Sequence, residues 1–135
     1  DDFPLVLTDA KSPHFIHSQY RHIGRLRRHE REPRIYVHPE TATTRGINDG
    51  DWVCLTTPHG SARMRARFAP ALDRRVVRAT AGWWQSCESL SLPGYDAKND
   101  RGSNLNRTIG HANSDPIGGC VPHKSYLCEL IPALD

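Results

Sequence analysis

Two short stretches concentrate the side chains able to hold a ligand. The denser is His14, His17, Ser18 and Gln19, which follows an apolar, strand-like opening. Two histidines three apart can contribute to a zinc site, but no third ligand stands at a matching spacing, so metal ligation is not expected. The same residues can form a loop tied by its own hydrogen bonds, or one that contacts a bound molecule. The second stretch is Ser103-Asn104-Leu105-Asn106. Each asparagine amide both donates and accepts, which suits the mixed edge of a nitrogen heterocycle. Asparagine is also a ready turn former. Lys124, next to His123, offers a cation to a phosphate or carbonyl, or stands exposed without a partner. Trp83 and Trp84 point to opposite sides if the chain is extended there, so one is expected in the core and the other on a cleft.

No catalytic residue is assigned. Cys87 or Cys120 can be drawn with His111 or His123 and an aspartate, but no Gly-x-Ser-x-Gly elbow or cysteine-protease signature supports a nucleophilic site. The four cysteines, Cys54, Cys87, Cys120 and Cys128, form no Cys-x-x-Cys pair. Cys54 and Cys128 fall in apolar strand patterns and read as buried reduced thiols. Neither a disulfide nor a structural metal is expected.

The net charge is +3, from 18 Lys+Arg against 15 Asp+Glu. The excess is mostly arginine, grouped at Arg21, Arg25, Arg27, Arg28, Arg31 and Arg34. A basic nucleic-acid-binding barrel is one reading of that group. It lacks interleaved aromatics, and Glu30 and Glu32 interrupt it, so a solvated surface turn is the plainer reading. No stretch approaches the roughly 20 apolar residues of a membrane span. The acidic opening Asp1-Asp2 does not resemble a signal peptide. A chain of 135 residues fits one domain. Its abrupt entry into a strand predicts a fragment of a larger chain.

The elements that must position these groups are mostly strands. Residues 3–8 read as the first strand. Residues 9–34 read as a long polar connection with a short helix around Tyr20–Arg28, weakened by Gly24. Strand 34–38 leads into a short helix at 39–45, with Pro39 at its first position, Glu40 at its positive end and Gly46 as its stop. Strands follow at 52–57, 61–68, 76–81 and 125–131. The second of these alternates Ala62, Met64, Ala66 and Phe68 against Ser61, Arg63, Arg65 and Arg67, the period of a half-buried strand. Residues 82–118 form a second long polar connection, of a length usually kept for function. The pattern is mainly β, and a closed barrel is favoured.

Several segments together resemble a known family. His38-Pro39-Glu40-Thr41-Ala42, followed by Arg45-Gly46-Ile47-Asn48-Asp49-Gly50-Asp51-Trp52-Val53, is similar to a signature of the molybdopterin dinucleotide-binding domain. That domain closes the chain in the dimethyl-sulfoxide-reductase family. Around the signature, in the family's order, stand Pro4-Leu5-Val6-Leu7-Thr8, His14 to Arg21, Gly82-Trp83-Trp84, Ser103 to Asn106 and Asp115-Pro116-Ile117-Gly118-Gly119. The resemblance runs from about Pro4 to Leu130.

The resemblance implies a six-stranded double-psi β-barrel with one or two short helices. It implies a share in binding molybdopterin guanine dinucleotide, carrying molybdenum or tungsten, inside a larger oxidoreductase. Partners implied are the preceding domains and an iron–sulfur electron-transfer subunit, without nucleic acid or membrane insertion. Thr8, Lys11, His14, His17, Ser18, Gln19, Trp84, Asn104, Asn106 and Lys124 are the cofactor-binding candidates. One departure stands out. Where the family often has Thr-Gly-Arg, this chain has Thr8-Asp9-Ala10-Lys11, and Lys11 replaces an arginine's charge but not its fork. Neither an iron–sulfur cysteine run nor a counterpart of the family's metal-ligating residue is present. The isolated domain is therefore expected to have no catalysis of its own.

Overall fold

The computed structural model describes residues 2–112, 114–122 and 124–134. His123, considered above beside Lys124, lies outside the described residues. Six strands form a closed barrel: β1 (Leu5–Ala10), β2 (Arg34–Val37), β3 (Trp52–Thr57), β4 (Gly60–Phe68), β5 (Val76–Thr80) and β6 (Tyr126–Pro132). Around the barrel the order is β1-β5-β2-β4-β3-β6, closing where β6 pairs with β1. The β1–β5 and β2–β4 pairs are parallel and the others antiparallel. This is the mainly β, six-stranded barrel that the strand count and the resemblance imply.

The alternation of β4 is realised in three dimensions. Ala62, Met64 and Ala66 are buried, and the intervening arginines face outward. They meet Leu5, Leu7, Ile35, Val37, Val53, Leu55, Val77, Ala79 and Leu130 in one core. Burying such faces is the main favourable term in folding the barrel. Cys128 shares the inward phase of β6 and is buried, whereas Cys54 sits on the outward phase of β3, between Val53 and Leu55, and is only half-buried. A buried Cys54 is thus corrected: an apolar run does not state which of its two phases faces in.

The helices are shorter than expected. The first, α1, is only Gly24–Arg27, because Tyr20 adopts φ +73° and cannot belong to a right-handed helix. The second, α2, covers Pro39–Thr43, with the His38 ring accepting from the Glu40 amide. The connection 82–118 is not structureless: it carries short 3₁₀ turns at Glu88–Leu90 and Leu105–Thr108. Among the described residues no helix is long and apolar enough to cross a membrane.

Candidate cofactor-binding site

The cluster read as a solvated basic turn is partly the opposite. Arg21 and Arg27 are 1% and 0% exposed. The Arg21 guanidinium lies in the corner formed by two edge-to-face aromatic rings, 4.5 Å from the Phe15 centroid and 4.4 Å from that of Trp83. Arg27 lies 5.2 Å from the Trp83 ring. A desolvated cation over an aromatic face is strongly attracted to it. The guanidiniums also satisfy backbone carbonyls. Arg21 donates to His17 O at 2.6 Å and Ala81 O at 2.5 Å, and Arg27 donates to Arg31, Arg21, Gln85 and Pro93 carbonyls. Burial lowers the Arg21 pKa to about 10, against the opposing pull of Glu30, so the side chain stays a cation at neutral pH. Glu30 is itself buried and accepts from Ser12 Oγ at 2.7 Å.

This stack ties the two long connections together at one end of the barrel. His17, at φ +50°, turns the first connection tightly, and the Gln19 amide donates back to Ile16 O at 2.8 Å. The turn packs against Gly82, whose φ is +83°. A Cβ on Gly82 would stand 2.7 Å from Ser18 Cα, so only glycine fits there. Trp83 is fully buried, its indole N–H donating to Thr80 Oγ1 at 2.9 Å, and Trp84 is 40% exposed at the cleft. The opposed directions read from the sequence hold, although neither tryptophan lies in a strand.

Between the connections lies a cleft of about 620 Å³. Of the ten candidate residues, Lys11, His17, Ser18, Trp84, Asn106 and Lys124 line it. The other four do not. Thr8, on β1, pairs in register with Arg78 of β5, and His14 stacks on His29 at 4.5 Å. Gln19 closes the His17 turn. Asn104 accepts from the Asn106 amide with Oδ1 and donates to Ala97 O with Nδ2, so its polar atoms are engaged within the loop. Sequence reasoning missed Asp9, Ser12 and Arg21 in the lining. The alternation of β1 was the available signal for Asp9, since Leu5 and Leu7 share its phase.

The lining suits a polar, anionic ligand that also carries a ring. Lys11 and Lys124 offer point charges for phosphates, His17, Ser18 and Asn106 offer donors and acceptors, and Trp84 offers an aromatic face. Asp9 Oδ1 is buried without a hydrogen-bond partner among the described residues, so an acceptor is left for a ligand donor. Among the described residues no group of three or more His, Cys, Asp or Glu is placed to hold a metal ion directly. These residues fit the polar groups, phosphates and ring of a pterin-nucleotide cofactor.

A closed six-stranded barrel with such a cleft defines a cofactor-binding domain. Residues 5–127 match the family described as Molydopterin dinucleotide binding domain, and the chain belongs to that family. Over 84 residues it is 36% identical to a putative dimethyl sulfoxide reductase catalytic subunit from Halobacterium salinarum, covering 62% of this chain and 10% of that protein. Over 138 residues it is 28% identical to dopamine dehydroxylase of Eggerthella lenta, covering 98% and 13%. In fold it resembles acetylene hydratase from Pelobacter acetylenicus, with a TM-score of 0.79 and 24% identity over 97% of this chain and 18% of that one. The chain thus spans only 10% and 13% of the length of the two sequence relatives.

Proposed function

We propose that this domain holds part of molybdopterin guanine dinucleotide in the cleft and closes one side of the active site of a larger oxidoreductase. The observation that carries the proposal is the convergence of Lys11, His17, Ser18, Trp84, Asn106 and Lys124 on one cleft between the two long connections. In this arrangement Lys11 and Lys124 meet phosphate oxygens. Ser18, His17 and Asn106 meet polar ring or ribose groups, and Trp84 covers a ring. Thr8, His14, Gln19 and Asn104 act one step back, by shaping the walls. When bound, the cofactor supplies the metal-centred redox chemistry, and this chain's residues bind and orient it. The preceding domains of the parent chain complete the site, and an iron–sulfur subunit would exchange electrons with it. A nucleic-acid role is not favoured, because Arg21 and Arg27 are buried and unavailable to a phosphate backbone.

The test has two parts. One domain offers part of a site but still meets the full cost of association. Calorimetry of the isolated domain with guanosine diphosphate should give a dissociation constant no tighter than roughly 0.1 mM. In the full-length chain, His17→Ala and Asn106→Ala should each lower cofactor and metal content, since each leaves a cofactor group unpaired at about 1–3 kcal/mol. Submicromolar binding by the isolated domain, or full occupancy in both variants, would overturn the proposal.

A further inference from the structure

Asp9 is an unexpected residue for this cleft. A site for a phosphate-bearing ligand gains from cations, and a carboxylate in its lining repels phosphate. Yet the Asp9 backbone is fixed in the barrel. It lies on β1, in register with buried Ala79 of β5. It shares the inward phase of Leu5 and Leu7, so the phase that fills the core with two leucines has a carboxylate as its last member, at the cleft. Its Oδ1 is buried and has no hydrogen-bond partner among the described residues. A buried acceptor without a donor is unfavourable unless a bound group supplies one. A ligand group carrying N–H donors satisfies that acceptor, and Lys11 and Lys124 of the same lining suit phosphates.

We propose that Asp9 is a specificity-determining residue that reads an amino-lactam ring edge, accepting from a ring N–H and the adjacent exocyclic amine. Two oxygens of one carboxylate match two neighbouring donors. The 2-amino-4-oxo pyrimidine edge that offers them is common to guanine and to pterin. The inference rests on the proposed function, since it concerns the same cleft.

The experiment uses the full-length chain purified free of cofactor, with calorimetry against two ligand pairs: guanosine diphosphate with xanthosine diphosphate, and pterin with lumazine. In each pair the second member replaces the amine by an oxo group. The unaltered chain should favour the amino member of one pair by roughly 10-fold or more, because a polar site left unpaired rejects the analogue. Asp9→Asn should reverse that preference, its amide N–H now meeting the oxo group, and Asp9→Ala should abolish it. The pair that responds identifies the ring, guanine or pterin. Melting curves of both variants establish that they fold, and either folded variant alone is decisive. A folded variant that keeps the original preference overturns the role of Asp9 alone. Failure of the unaltered chain to bind any of the four ligands at millimolar concentration overturns the proposed function and this inference with it.

Discussion

The guanidinium of Arg21 and the indole of Trp83 lie 4.4 Å apart inside the domain, and each belongs to a different one of the two long connections. Through this contact the floor of the cleft and the packing of the loops become one structure. Phe15 also lies against Arg21, 4.5 Å from the guanidinium, and is edge-on to Trp83 with centroids 5.9 Å apart.

The stack should dominate loop stability. Arg21→Met removes two charge-assisted, part-buried bonds to the His17 and Ala81 carbonyls, and each such bond is worth about 1.5–3 kcal/mol. We expect a loss of about 3 kcal/mol in chemical denaturation. Arg21→Lys keeps the charge and loses the fork, so it should recover only part of that loss. A loss below about 1 kcal/mol for Arg21→Met would show that the stack is incidental.

Gly82→Ala tests the close approach of the two connections. The substituted residue would hold φ +83° and press its Cβ against Ser18 Cα, 2.7 Å away. Left-handed strain alone costs about 1–3 kcal/mol. We expect a lower melting temperature together with weaker ligand binding, because Ser18 lines the cleft. Unchanged binding in a destabilised variant would separate the wall from the site.

Asn104 and Asn106 should part company. Asn104→Ala removes the side-chain cap of the Leu105–Thr108 turn, at about 1 kcal/mol of stability. Asn106→Ala touches an exposed cleft residue and should leave the melting temperature nearly unchanged while lowering cofactor content. The opposite pattern would place ligand contact on Asn104.

The thiols should react in order of exposure. Cys120 is exposed, Cys87 and Cys128 are buried, and burial pushes the Cys128 thiol up to about 12. The thiolate is the reactive form. At pH 8 an alkylating reagent should label Cys120 first and Cys128 only on unfolding. Under denaturing, non-reducing conditions all four thiols should titrate, and a count of two would reveal a bridge.

Alternating and apolar runs determine much of this protein from sequence alone. The period of two in residues 61–68 locates β4 and its buried face. The turn residues Pro39, Gly46 and Gly50 bound α2 and the approach to β3. The grouped polar residues of the two long connections foreshadow a cleft between them, which six of the ten candidates line. These features are legible because each depends on neighbours within a few positions. Tertiary structure decided what depends on distant residues. Arg21 and Arg27 read as solvent-facing, since burial of an arginine requires an aromatic ring and carbonyls from some 60 residues away. Asn104 reads as a candidate ligand contact, and only the fold shows that Ala97 and Asn106 engage its amide. Asp9 reads as a missing glycine, and becomes the one carboxylate of the cleft lining among the described residues only because β1 ends at the cleft's mouth. Side-chain charge is written in the sequence, but its desolvation and its partners are set by the chain segments that folding brings against it.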